Sequence, residues 1–214
     1  MNNETEIELK FKLSILPDGM TNATKIKQIY LNFQDEETKS IIEQYFAPEE
    51  IDWTPIKEAR VRRKTNESGE EFTLTLKSDG TLARKELQIN IEGEQFETLR
   101  SKVTLGEIDK IRSKIHINDD LTIEVDEYLD KLEGLLSAEI EFDPELYPDK
   151  SEVIALALEL LGSDIEDVTE VKEYKNKFLA TVESLEKLME IIREREEKDR
   201  MQDLSADPTK YSVS

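Results

Sequence analysis

The 214-residue chain contains no cysteine, which excludes disulfides, a thiolate nucleophile and zinc–thiolate sites. Histidine is reduced to His116, at a strand end beside a turn, where a plain polar role outweighs proton transfer. Neither a Walker-type glycine loop nor a G-x-S-x-G elbow occurs, so P-loop nucleotide chemistry and serine hydrolysis lack support. No apolar run approaches the roughly 18 residues of a membrane helix, and no signal-peptide core is present. The expectation is a cytoplasmic protein without membrane partners. The one tryptophan, Trp53, sits in a loop bounded by Pro48 and Pro55, where packing is the expected role.

Charge is abundant. Charged residues make up 37% of the chain and the formal net charge is −21, which argues against nucleic-acid binding, since phosphate backbones are held by neutralising Lys and Arg. The charge is uneven. Residues 119–170 hold 18 acidic side chains against Lys131 and Lys150, whereas residues 57–114 hold 13 basic ones against 11 acidic. That division suits a small, highly charged anion bound together with cations.

The charges alternate with apolar residues at the period of two that places strand side chains on opposite faces. Glu6, Glu8, Lys10 and Lys12 alternate with Ile7, Leu9 and Phe11; Arg60 and Arg62 flank Val61. Lys77 follows Phe72, Leu74 and Leu76, and Glu86 alternates with Leu87 and Ile89. Lys110, Arg112 and Lys114 face away from Ile111 and Ile115, Glu124 and Asp126 flank Val125, and Glu139 and Glu141 flank Ile140. A single such strand ordinarily turns its charges to water. Repeated tight spacings of both signs point instead to one shared site.

Turn signals divide the chain into eight strands: about residues 5–13, 25–33, the segment of Arg60 and Arg62, 71–77, 84–92, 108–117, 121–128 and 138–142. Helices are expected at 35–46, 94–103 and 151–161, with another running from about Glu170 to Arg200. Leu185, Leu188, Met189 and Ile192 would dock the last of these, leaving solvent on all sides beyond Ile192. Residues 1–180 read as one domain, 181–202 as a helical extension and 203–214 as a disordered tail. Eight antiparallel strands can close into a barrel that holds one small ligand. The expected class is therefore α+β: an eight-stranded antiparallel barrel, or tunnel, with a charged interior and helices outside. Buried charges need partners; divalent cations and phosphates would supply them. Clustered carboxylates without His or Cys favour Mg²⁺ or Mn²⁺ over Zn²⁺.

The series Glu6-x-Glu8-x-Lys10, Arg60-x-Arg62, Lys77 in Leu-Thr-Leu-Lys, Arg84-x-Glu86, Lys110-x-Arg112, Asp126 and Glu139-x-Glu141 resembles the CYTH superfamily, the triphosphate tunnel metalloenzymes. The stretch Val168-Thr169-Glu170 with Tyr174-Lys175-Asn176-Lys177 extends the similarity to about Ala180 and to the short bacterial single-domain branch. The resemblance implies metal-dependent hydrolysis of inorganic triphosphate to pyrophosphate and phosphate. Its alternatives are a class IV adenylyl cyclase or a thiamine-triphosphatase; a non-catalytic polyphosphate-binding module is a third reading.

By the same resemblance, Arg60, Arg62, Lys77, Arg84, Lys110 and Arg112 would hold substrate, and Lys172, or Lys175 in its place, would reach it from the C-terminal stretch. Glu6, Glu8, Asp126, Glu139 and Glu141 would hold metal. Lys10 and Lys110 are the catalytic candidates, and Glu86 and Glu124 are inward-facing acids of less defined role. A homodimer is an open expectation. Three features depart from the pattern: Gln88 stands where a second acid is expected, residues 35–58 are long enough to form a lid or a decoration near a tunnel mouth, and the chain beyond Ala180 has no recognised counterpart.

Overall fold

The computed structural model describes residues 7–78, 86–102 and 104–206, with side chains described up to residue 201. Nine strands form one antiparallel sheet. They are β1 (Ile7–Leu13), β2 (Thr21–Leu31), β3 (Ile56–Asn66), β4 (Gly69–Ser78), β5 (Glu86–Asn90), β6 (Thr104–His116), β7 (Thr122–Tyr128), β8 (Leu136–Phe142) and β9 (Ile165–Asp167). The order across the sheet is β5-β4-β3-β2-β6-β7-β8-β1-β9. The first eight coincide with the strands that alternation predicts. β9 is an addition: three residues are too few to show a period, and it forms by pairing Phe11–Leu13 of β1 with Ile165–Asp167. The expected closed barrel is also corrected, because β5 and β9 are unpaired edges of an open sheet among the described residues.

The apolar faces of the strands pack outward under helices. Leu9, Phe11, Ile123, Val125, Ala138 and Ile140 bury against Val153, Ala157 and Leu161 of α3 (Lys150–Leu161). Ile29, Val61, Leu74 and Leu76 bury against Ile42 and Phe46 of α1 (Glu36–Phe46) and Phe96 and Leu99 of α2 (Gly93–Arg100). Each fully buried aliphatic side chain here contributes about 1.5–3 kcal/mol. Asp35 starts α1 by accepting a hydrogen bond from the Thr38 amide at 2.9 Å, and Asp149 caps α3 in the same way through Ser151. Residues 35–58 are therefore no lid: α1 is a structural layer on the outer face. Trp53 stacks on Phe33 at 5.7 Å, as packing requires.

A third core lies on the opposite, inner face. Tyr30, Ile108 and Tyr128, which share strand parity with the charged residues, bury against Val168, Tyr174, Leu179, Leu188 and Ile192. The C-terminal segment thus floors one end of the inner face with apolar contacts. Its geometry differs from the single helix expected. A 3₁₀ turn (Lys172–Tyr174), a short α4 (Asn176–Thr181) and a break precede α5 (Leu185–Ala206). The break has a local cause: Ser184 accepts from the Lys187 amide at 3.2 Å and starts a new helix. Gly106 permits the close packing of α4 on β6, since a Cβ there would lie 2.0 Å from the Ala180 carbonyl oxygen. The boundary expected at residue 180 is not a packing boundary, because Ala180, Val182, Leu188 and Ile192 share one core. α5 runs into the expected tail as far as Ala206; residues 207–214 lie outside the described ones.

Candidate functional site

Side chains from β1 to β8 line a single cavity of about 690 Å³ on the inner face, so the open sheet curves around it. Alternation sets which residues enter, and register sets which of them meet. Lys10 lies opposite Glu139, Glu8 opposite Glu141, Arg112 opposite Asp126, and Glu124 opposite both Lys114 and Glu139.

One wall, from β6, β7, β8 and β1, is a closed ionic network. Lys10, 1% exposed, donates to Glu139 Oε1 at 2.8 Å. Arg112 donates through Nε to Asp126 Oδ1 at 2.7 Å and through Nη2 to Asp126 Oδ2 at 2.6 Å and Glu139 Oε2 at 2.5 Å. It also donates to Glu124, which pairs with Lys114 at 3.3 Å. Lys110 donates to Asp126 Oδ2 at 2.5 Å. Burial alone would raise the carboxyl pKa values. Arg112 and Lys110 around Asp126, and Lys10 and Arg112 around Glu139, instead hold both below the usual carboxylate range. Burial likewise opposes the charge of Lys10, but Tyr128 and Glu139 outweigh it and raise its pKa.

The other wall, from β3, β4 and β5, is differently paired. Arg60 reaches Glu58 at 3.2 Å and Glu86 at 4.0 Å, while its Nε is buried without a hydrogen-bond partner. Arg62 donates from Nε to the neutral amide oxygen of Gln28 at 2.9 Å and has no ion pair among the described residues. Burial, with Arg60 and Arg112 nearby, pushes its pKa down to about 10. Gln28 is itself held, donating to the Tyr30 hydroxyl at 2.6 Å. Lys77 pairs with Glu86 at 2.8 Å, and Lys64 lies 3.8 Å from Glu71.

The sequence candidates distribute as follows. Glu8, Lys10, Arg60, Arg62, Lys77, Glu86, Arg112, Glu124, Glu139 and Glu141 line the cavity. Asp126 and Lys110 do not: both are 0% exposed and bound to each other beneath the lining. Asp126, expected as a metal ligand, spends both oxygens on Arg112 and Lys110. Lys110, expected at the chemistry, is a buried cation whose pKa burial and Arg112 push down to about 8. Lys172 points away from the cavity, its side chain 78% exposed beside Glu173, because the 3₁₀ turn rotates it outward. Lys175, Asn176 and Lys177 line the cavity instead. Glu6 and Arg84 lie outside the described residues. His116 is exposed and pairs with Thr122.

Some residues escaped sequence reasoning. Glu58 extends the Arg60, Arg62 alternation by one step and was legible on that ground. Gln28 and Tyr30 carry no charge, so a charge pattern passes over them. Gln88 accepts from Thr75 at 3.0 Å and still lines the cavity. Among the described residues no three His, Cys, Asp or Glu side chains converge closely enough to form an all-protein metal cage. Glu8 and Glu141 face each other across β1 and β8, with Glu139 next along the same wall. Such an oxygen-only set fits Mg²⁺-like ions, which take one or two carboxylates and complete their shell with water and substrate phosphates.

Fold and site together define an antiparallel sheet curved around a polyanion pocket, with cations and carboxylates on both walls. The family model described as the CYTH domain matches residues 4–190, and the chain belongs to this family. It is 34% identical to an inorganic triphosphatase of Nitrosomonas europaea over 176 residues, 82% of this chain and 97% of that protein. A crystal structure of an inorganic triphosphatase superimposes with a TM-score of 0.53 at 29% identity, covering 84% of this chain and 97% of the other. A further crystal structure, of a protein described as hypothetical, gives 0.54 at 29% identity, covering 83% and 99%.

Proposed function

We propose that the protein hydrolyses inorganic triphosphate to pyrophosphate and phosphate with the help of a divalent cation, Mg²⁺ or Mn²⁺. The observation that carries this reading is the Arg60–Arg62 pair: two guanidinium groups in one cavity, of which, among the described residues, one has a buried Nε without a hydrogen-bond partner and the other donates to a neutral amide and to no carboxylate. Both are prepared for phosphate oxygens, which guanidinium holds by paired hydrogen bonds. The family and the triphosphatase relative support the same substrate class.

Phosphoryl transfer needs mainly positioning and charge stabilisation. Arg60, Arg62 and Lys77 bind the phosphate chain, and Lys175 adds a cation from the C-terminal wall. Arg112 is fixed by three carboxylates, so its orientation is set before substrate arrives. Lys10 and Asn176 both reach Glu139, at 2.8 and 3.4 Å, and orient it toward the cavity. Glu8 and Glu141 are the residues that would hold the cation, with Glu139, whose oxygens are bound by Lys10, Asn176 and Arg112, beside them. A bound divalent ion supplies phosphate neutralisation and a water of lowered pKa.

The reading favours inorganic over organic triphosphate, since Tyr30 is the one aromatic residue lining the cavity among the described residues and it is buried. A base or thiazole ring would find no stacking surface there. The test is a substrate panel of tripolyphosphate, ATP and thiamine triphosphate with Mg²⁺ or Mn²⁺, scoring phosphate, pyrophosphate and cyclic AMP. Tripolyphosphate turnover, abolished by EDTA and restored by the metal, is expected. Cyclic AMP from ATP without tripolyphosphate cleavage would overturn the assignment.

A further inference from the structure

The segment that brings Lys175, Asn176 and Lys177 into the cavity has little structure of its own. It consists of a 3₁₀ turn of three residues and a six-residue helix, both too short to be stable alone. Its cavity side is tied down: Asn176 accepts from the Tyr128 hydroxyl at 2.7 Å, and Lys177 donates to the Lys57 carbonyl at 2.8 Å. Elsewhere the segment packs Tyr174, Leu179 and Ala180 into one core with Leu188 and Ile192, and Lys131 donates to the Ala180 carbonyl at 2.6 Å. The segment's charged tie to α5 is a single pair. Glu173, 1% exposed, accepts from Arg195 Nη1 at 2.7 Å. Arg195 lies on α5, beyond residue 190 where the family match ends.

A carboxylate this deeply buried needs its cation. Lys172 does not serve, since its Nζ lies 3.9 Å away on an exposed side chain. Among the described residues Arg195 has two other ionic contacts, to Glu196 and Asp199 at 4.0 Å, and its Nε is buried without a hydrogen-bond partner. The charged part of the attachment to α5 is therefore one hydrogen-bonded ion pair, two residues from Lys175, added to the apolar packing of Tyr174, Leu179 and Ala180 with Leu188 and Ile192. This corrects the expectation that α5 faces only solvent beyond Ile192.

We infer that the Glu173–Arg195 ion pair is a latch through which α5 holds Lys175, Asn176 and Lys177 in the cavity wall, making Arg195 a positioning residue for the polyphosphate site. The inference rests on the reading of that cavity as the substrate site. Releasing the latch frees the wall segment without touching the Arg60–Arg62 pair.

The test compares wild type, Arg195→Met, Arg195→Lys and the double variant Glu173→Gln/Arg195→Met, which removes the pair without stranding a buried charge. Hydrogen exchange is measured without substrate, and KM and kcat with tripolyphosphate and Mg²⁺. In Arg195→Met and the double variant, exchange in residues 172–181 should rise while the strands stay protected. KM should rise about tenfold, the equivalent of one charge-assisted hydrogen bond, with kcat within about twofold. Arg195→Lys should recover most of the loss, and the double variant should melt closer to wild type than Arg195→Met. Unchanged exchange in 172–181, or a double variant with wild-type KM, would overturn the latch. Failure of the wild type to bind tripolyphosphate would count against the substrate reading alone, because the exchange measurement judges the latch without substrate.

Discussion

The two walls of the cavity carry the same residue types and use them in opposite ways. On the β6–β7–β8–β1 wall, Lys10, Lys110 and Arg112 are each bound by buried carboxylates. On the β3–β4–β5 wall, Arg60 and Arg62 keep guanidinium atoms that no carboxylate saturates. Saturated cations contribute to the fold and aim a fixed charge at the site. Unsaturated ones are costly to the empty protein and gain their partners from a ligand. A buried Arg therefore announces substrate binding only when its partners have been counted.

The comparison breaks most easily at Arg112. Arg112→Met should lower the unfolding free energy by about 3–5 kcal/mol, since it strands carboxylates in a buried network; denaturant unfolding checks this. A loss confined to activity would place Arg112 with the opposite wall. Arg62→Ala should behave inversely. Its kcat/KM for tripolyphosphate should fall about a hundredfold or more, the worth of one or two charge-assisted hydrogen bonds, with little loss of ligand-free stability.

Acid sharpens the contrast. The folded pKa of Glu139 is depressed, so between its folded and unfolded values the unfolded chain binds more protons and stability rises with pH. Its contribution is full above the unfolded value, about 4.3, and is lost as pH falls through the depressed folded one. Wild type should exceed Glu139→Gln in melting temperature at pH 7. The gap should close on acidification, and a constant gap between pH 7 and 3 would remove Glu139 from the network. Removing this carboxylate also leaves Lys10 buried without its partner, so the variant should lose stability as well as turnover. The smallest effect belongs to Lys172→Ala: an exposed cation outside the cavity should leave kcat/KM within about twofold.

Much of this was legible in the sequence. Alternation located eight strands and, for those with a charged face, the side that enters the cavity, because period two is a local property; β2 enters with Thr24, Ile26 and Tyr30, which a charge pattern does not mark. Pairing was not legible. Lys10 meets Glu139 through the β1–β8 register, and nothing local shows that Asp126 is consumed by Lys110 and Arg112. The same holds for the C-terminal wall. The resemblance offered Lys172 or Lys175 there, and the 3₁₀ turn decides between them, placing Lys175 in the cavity with Asn176 and Lys177 and leaving Lys172 outside. β9 and the break before α5 depend on β1 and on a serine cap, which a 3.6-residue period does not reveal.

The most direct test of the two-wall account is the melting temperature of wild type and Arg62→Met with and without saturating tripolyphosphate. Ligand that binds only the folded protein stabilises it, by about 2.7 kcal/mol at a hundred times Kd. The account predicts that Arg62→Met melts at or above wild type when empty and loses most of the ligand-induced rise. A variant that melts well below wild type when empty, yet keeps the full rise with tripolyphosphate, would contradict it.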